Sequence, residues 1–399
     1  MKKLLLIICT FFFAANIFAQ GPEVTSWIIN TTSATGYAGI PSNVQQVQYS
    51  AINVYVSCTC IPGYNIGPWP GNPNVASNQN FVFKITRSPQ QNMGTPTAVG
   101  LGHIGVWTNG VSIYNVSDAQ SYMNQGNWHQ NAYFFEGSGF DNCLGHPQMA
   151  GEYHHHVSPT CLYDETDSTQ HSPIIGYAFD GFPVYGAYAY TNTNGTGPIK
   201  RMQTSYIVST ATTRTNGPAV NATYPAGCYI EDYNFTAGSG DLDARNGRYC
   251  VTPEYPSGTY AYFVTLDAAL DPVFPYTFYG TYYGVVQAGN TGSGSGHNVP
   301  SEAVTTYTPS GMNEIEDKII FSVYPNPAKE SVAVFIAPSA VNNSTLTLTN
   351  SAGQEIFSQE LIQPGINYFL DLSKVDAGIY FIAIRNGTVS AGRRVIVVK

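Results

Sequence analysis

Short runs in which apolar and polar residues alternate recur along this chain, divided by stretches rich in Gly, Pro, Asn and Ser. Neighbouring side chains of an extended backbone point to opposite faces, so alternation predicts half-buried strands. WIIN at 27–30, INVYV at 52–56 and FVFKITR at 81–87 read this way. Around 99–115, VGLGHIGVWTNGVSIYN predicts two strands joined at Asn109-Gly110, a strong hairpin signal. SDAQSYMNQ at 117–125 predicts one short helix capped by Ser117. YPSGTYAYFVTLD at 255–267 predicts a further strand. Residues 61–80 and 191–218 carry turn chemistry and read as loop and exposed excursion. From Ile319 onward, FSVYPNP, SVAVFI, STLTLTNSAGQEIFSQEL, INYFLDL, GIYFIAIRNG and AGRRVIVVK follow at close spacing, the pattern of a β-sandwich.

The fold expected is therefore mainly β: a large irregular β-rich N-terminal domain and a small Ig-like β-sandwich C-terminal domain. The boundaries expected are a signal peptide at 1–19, a domain at 20–289, a Gly/Ser/Thr-rich linker at 290–318 and the sandwich at 319–399. The leader reading rests on Lys2 and Lys3, an apolar run from Leu4 to Phe13 and Ala19 before the cut. That run is too short for a membrane span, and no transmembrane segment is expected in the mature chain.

Composition fits this picture. Only 10% of residues are charged, while Tyr (29), Gly (39) and Pro (25) abound, as in β proteins with many turns. A formal charge of −9 argues against nucleic acid or an anionic membrane as partner. With Cys9 in the leader, six cysteines remain, and an even number in an exported chain implies disulfides. Cys143–Cys161 and Cys228–Cys250 are the local bridges expected. Cys58 and Cys60 stand too close together for an unstrained bridge; they pair elsewhere or offer thiolates to a metal.

Candidate chemistry concentrates at 143–188. Five of eight histidines lie there: His146, His154, His155, His156 and His171. If Gly151–Pro159 is extended, His154 and His156 share one face, and Tyr153 and His155 the other. Two imidazoles on one face can chelate zinc, copper, iron or nickel. His146, His171, His103 and His129 are the candidates to complete the set. Glu136, Glu152 and Asp180 are candidate acid–base groups, each with the plainer alternative of a hydrogen-bonded or turn carboxylate. Asp241, Asp243 and Asn246 offer calcium oxygens or an Asx-rich turn. His297 falls in the expected linker and reads as unrelated. Trp69, Trp107, Trp128 and the tyrosines leave a glycan-binding reading open. A nucleophile elbow, a Walker A loop and a zincin helix are absent, so no serine or cysteine nucleophile is indicated.

GHPQMAGEYHHHVSPTCL, then HSPIIGYAFDGFPVYGAY and DLDARNGRYCVTPEYPSGTYAYFVTLD, resemble the YHYH domain family, over most of the chain up to about Gly289. The third motif position, normally Tyr, is His155. The resemblance implies export and places AFDGFPVYG beside the site. YPNPAKESV, SAGQEIFS and L-x-x-V-x-A-G-I-Y-F-I resemble the C-terminal sorting domain of the type IX secretion system. That resemblance implies the secretion machinery as partner and the outer surface or medium of a Bacteroidota-type cell as destination. Three functions remain open: a metalloprotein for hydrolysis (zinc) or redox work (copper), a glycan or small-molecule binding module, and a structural histidine network.

Overall fold

Alternating runs do become strands, and they assemble into two units, 1–307 and 308–399. The structure is a computed structural model. It describes residues 20–292, 294–309, 321–324, 326, 328–336, 344–350, 353–361, 367–386 and 389–399. The expected signal peptide lies outside them. No helix among the described residues is long and apolar enough to cross a membrane.

In the first unit, eight strands form one sheet in the order Gly247–Cys250, Thr259–Phe263, Pro183–Tyr185, Ile174–Ala178, His103–Trp107, Ser112–Tyr114, Tyr153–His155 and His146–Pro147. The central strands are buried along their whole length, so both faces are covered. Trp107, Ile113, Tyr177, Val184, Tyr262 and Phe263 fill this core. Val44–Tyr49, Asn53–Cys58 and Phe81–Thr86 form a second sheet, whose alternating burial at Phe81, Phe83 and Ile85 matches its sequence pattern. The Asn109-Gly110 hairpin is present, with Gly110 at φ +82 and its site backed by Cys58.

Three local expectations fail. WIIN contributes only a bridge between Ile29 and Val44. SDAQSYMNQ is a strand, Ser117–Ser121, paired with His129–Asn131 and followed by a tight turn. Its apolar spacing offered a helix no continuous buried face, and Asp118 bonds the Gln120 amide instead. The stretch read as a linker is laid on the first unit as far as Tyr307. Thr305 and Thr306 pair with Tyr49 and Gln48, and the Asn290 amide bonds both backbone groups of Lys84.

The second unit is a sandwich of a three-stranded and a four-stranded sheet. Val332, Val334, Leu346, Leu348, Ile382, Ile384 and Val395 fill the space between, every second residue of each strand. It contains no histidine or cysteine, so the candidate chemistry lies wholly in the first unit.

Candidate metal centre

The histidine cluster sits at one edge of the eight-stranded sheet. Tyr153–His155 runs parallel to Ser112–Tyr114 and antiparallel to His146–Pro147, which puts His146 directly opposite His154. The pleat then places His156 on the same face, two residues on. The neighbouring turn needs glycine. A Cβ on Gly145 would stand 2.4 Å from the Tyr153 hydroxyl and 2.8 Å from His155 Nε2. Cys143–Cys161 forms as expected, with an S–S distance of 2.08 Å, and ties down the entry to this turn.

His146, His154 and His156 each offer a ligand nitrogen, all within 4.8 Å of one another; among the described residues, this is the group of three that could hold a metal. His154 Nδ1 donates to the Glu152 carbonyl at 3.0 Å, and His156 Nδ1 to the Asn115 carbonyl at 2.5 Å. Carbonyls only accept, so in the neutral rings both Nε2 atoms carry lone pairs, and these face each other at 3.1 Å. Such a pair repels unless a proton or a cation lies between. Glu136 Oε2 stands 3.2 Å from His156 Nε2 and 3.5 Å from His146 Nε2. Tetrahedral zinc, with bonds of about 2.0–2.1 Å, has ligand–ligand edges of about 3.3–3.4 Å. The 3.1 Å between the His154 and His156 nitrogens is close to that figure, and the three imidazoles together lie within 4.8 Å.

Electrostatics favour the ligand form. Burial, then the neighbouring rings, hold His146 down to about 4 and His154 well below the usual histidine value. Burial pushes Glu136 up, but the hydrogen bond and charge of His156, together with His146, outweigh it and leave the carboxyl below its ordinary range. Imidazoles held neutral at His146 and His154 are what a divalent cation needs, and a bound cation would supply the positive charge that keeps Glu136 ionised. Tyr114 stacks on His154 with centroids 3.7 Å apart. A cavity of about 490 Å³ opens over the cluster, lined by Asn72, Tyr114, Phe135, Glu136 and Met149.

Other candidates go elsewhere. His103 pairs with Glu152, and neither lines the cavity over the cluster. His129 is exposed and bonds Glu231. His171 donates to the Ser172 carbonyl and packs on Tyr185 and Tyr190. Asp180 lines neither this cavity nor its neighbour; it is fully buried, accepting from Tyr262 Oη, Gly284 N and Phe182 N. Asp241 pairs with Lys200, Asp243 caps the turn at Arg245 and accepts from Tyr260, and the Asn246 amide donates to Phe263 and Thr277. The two carboxylates expected to serve calcium are thus engaged by donors. Cys228 and Cys250 are buried thiols, not a bridge, as are Cys58 and Cys60. Cys228 packs against the Arg214 guanidinium, whereas Cys250 ends an edge strand of the main sheet. The tryptophans are occupied too: Trp107 is wholly buried, and the Trp69 and Trp128 indole N–H groups donate to Asp141 and the Thr215 carbonyl.

Asp180 gives a pH-dependent stability. Burial pushes its carboxyl up to about 6, against the three donors. Its folded-state value lies above the unfolded one, so its stabilisation is complete below about pH 4 and is lost as pH rises through about 6. That difference is worth roughly 3 kcal/mol. Denaturant titrations of the full chain at about pH 4 and about pH 7 should show wild type losing roughly that much relative to Asp180→Asn. An unchanged difference between the two proteins would contradict this.

Comparison with known proteins agrees with the ends of this reading. The family described as YHYH protein matches residues 82–280, and the secretion system C-terminal sorting domain matches residues 322–398. No curated protein matches the chain. Among solved structures, one of PorZ, a surface component of the type-IX secretion system of Porphyromonas gingivalis, is 12% identical. It covers 89% of this chain, which spans 59% of its length, at a TM-score of 0.18, too low to carry an argument. The chain is a YHYH-family protein carrying a type IX secretion sorting domain, and that domain sends it to the cell surface or into the medium.

Proposed function

We propose that this exported protein binds one divalent transition metal, zinc or copper, through His146, His154 and His156, and uses it for hydrolysis. The observation that carries this is the convergence of three buried imidazoles whose ligand nitrogens lie within 4.8 Å of one another, with the Glu136 carboxylate beside them. Bound there, zinc supplies Lewis acidity and water of lowered pKa. The Asn115 and Glu152 carbonyls hold the rings in the right tautomer, and Tyr114 fixes the His154 plane. Glu136, one-third exposed at the cavity wall, is the group placed to take a proton from water.

Full-length protein stripped with chelator and titrated with zinc or copper should take up one ion per chain. Glu136→Gln should keep that ion and lose about a hundredfold in metal-dependent turnover of phosphoesters or glycosides. Stripped protein that takes up no stoichiometric ion would end the reading. Equal turnover in Glu136→Gln would remove the role given to Glu136.

A further inference from the structure

His103, left out of the metal centre, stands in another arrangement. Its Nδ1 lies 2.9 Å from Glu152 Oε1 and its Nε2 lies 2.9 Å from Ser295 Oγ. We propose that Ser295, His103 and Glu152 form a second reactive centre, a serine nucleophile with its base and orienting carboxylate, acting on esters of short acyl chains.

The carboxylate is itself held: Ser112 Oγ donates to Oε1 at 2.6 Å and Tyr114 Oη to Oε2 at 2.9 Å. With Ser112 and Tyr114 donating to its oxygens, the carboxylate accepts from His103 as well, which puts the imidazole proton on Nδ1 and leaves the Nε2 lone pair facing Ser295. Phe81, Phe83 and Phe179 wall the ring edge-on at 5.3, 5.4 and 5.8 Å and fix its plane. Ser295 Oγ also lies 3.0 Å from the Asn290 carbonyl and 2.7 Å from the Gly292 carbonyl. Its single hydrogen has three acceptors, of which imidazole is by far the strongest base.

Ser295 is placed by a glycine turn in which Gly292, Gly294 and Gly296 have φ of +99, +71 and +83, a backbone that side chains would strain. A cavity of about 470 Å³ opens over all three groups, bounded by Phe81, Leu101, Tyr114 and Gln148. The volume and mixed lining suit a small acyl ester. Leu101, Gly102, Tyr114 and Gln148 also border the metal-site cavity, so the two openings adjoin. Glu152 serves both, its carbonyl orienting His154 and its carboxylate orienting His103.

In the reaction, Oγ forms a bond to the acyl carbon as its proton moves to Nε2 and the carbonyl π pair moves onto oxygen. Collapse expels the alkoxide, which takes the proton from Nε2. Water then attacks the acyl-serine, passing a proton to Nε2. The carbon–Oγ bond breaks, Oγ recovers that proton, and the carboxylic acid leaves. One water is consumed per ester.

A fluorophosphonate tests this in the full chain. Ser295 Oγ bonds phosphorus, fluoride departs and the proton goes to His103. Peptide mapping by mass spectrometry should find the adduct on Ser295 in both metal-loaded and chelator-stripped protein. The labelling rate should fall at least a hundredfold in His103→Gln and the adduct should vanish in Ser295→Ala, whose surface turn leaves the thermal midpoint unchanged. If the three groups only clasp the turn, no adduct forms on Ser295, or it forms at the same rate in His103→Gln, and the proposal falls. Labelling that survives chelation separates this centre from the metal site.

Discussion

Replacing Asp232 with alanine should lower the stability of the first unit by about 3–5 kcal/mol, because it strands a buried cation. Asp232 and Arg214 form two hydrogen bonds of 2.7 Å with side chains only 4% and 1% exposed. The guanidinium gives its remaining N–H groups to the carbonyls of Pro218, Tyr224 and Pro225. Asp232 also accepts from the Gly227 and Tyr229 amides, so the deletion orphans two backbone donors as well. Desolvating the pair is costly in itself, and the Arg214→Met/Asp232→Leu double variant should cost far less than the single deletion. Denaturant midpoints of the three proteins check this; a loss under about 1 kcal/mol for Asp232→Ala would contradict it. The same cluster bears on Trp128. Arg214 lies over its ring at 5.7 Å and over Tyr229 at 5.1 Å. The indole is part of a structural stack, which weakens the sugar-platform reading of this residue.

What could be read in advance follows from which interactions are local. The alternation at 153–156 depends only on an extended backbone, so the common face of His154 and His156 was legible. So were the 81–86 strand, the Asn109-Gly110 hairpin and the runs that become the strands of the second unit. His146 could be named but not placed, since its position opposite His154 depends on a turn closed by Gly145, Gly151 and Cys143–Cys161. His103 looked like a ligand because residue type carries no direction; its partners lie 49 and 192 residues away. Composition misled most at 290–307. Glycine and serine serve flexible linkers, yet the positive-φ turn they build here packs on the sheet and delivers Ser295. Counting cysteines presumed every exported thiol oxidised. Four are buried thiols instead, and burial pushes the Cys58 thiol up to about 12.

His154→Ala and His155→Ala, one residue apart, should fail in opposite ways. Four-ligand zinc sites bind with about 10–16 kcal/mol, or roughly 2.5–4 kcal/mol per ligand, so losing His154 should weaken metal affinity about a hundredfold or more. His154 lines a cavity, and its truncation enlarges space that is already open. His155 has no such cavity. It is wholly buried, edge-on to Tyr153 at 5.1 Å and to Trp107 at 6.5 Å, and burial holds it down to about 3. Truncating it leaves a hole in the aromatic core, which costs about 2–4 kcal/mol. The cluster on the opposite face loses no ligand, so metal affinity should stay within about tenfold. Competition titration and denaturant unfolding of both variants, each in metal-free and loaded form, read the two axes separately. If His154→Ala keeps its affinity, or His155→Ala loses metal as severely as His154→Ala, then the two faces of this strand do not divide the work between ion and core.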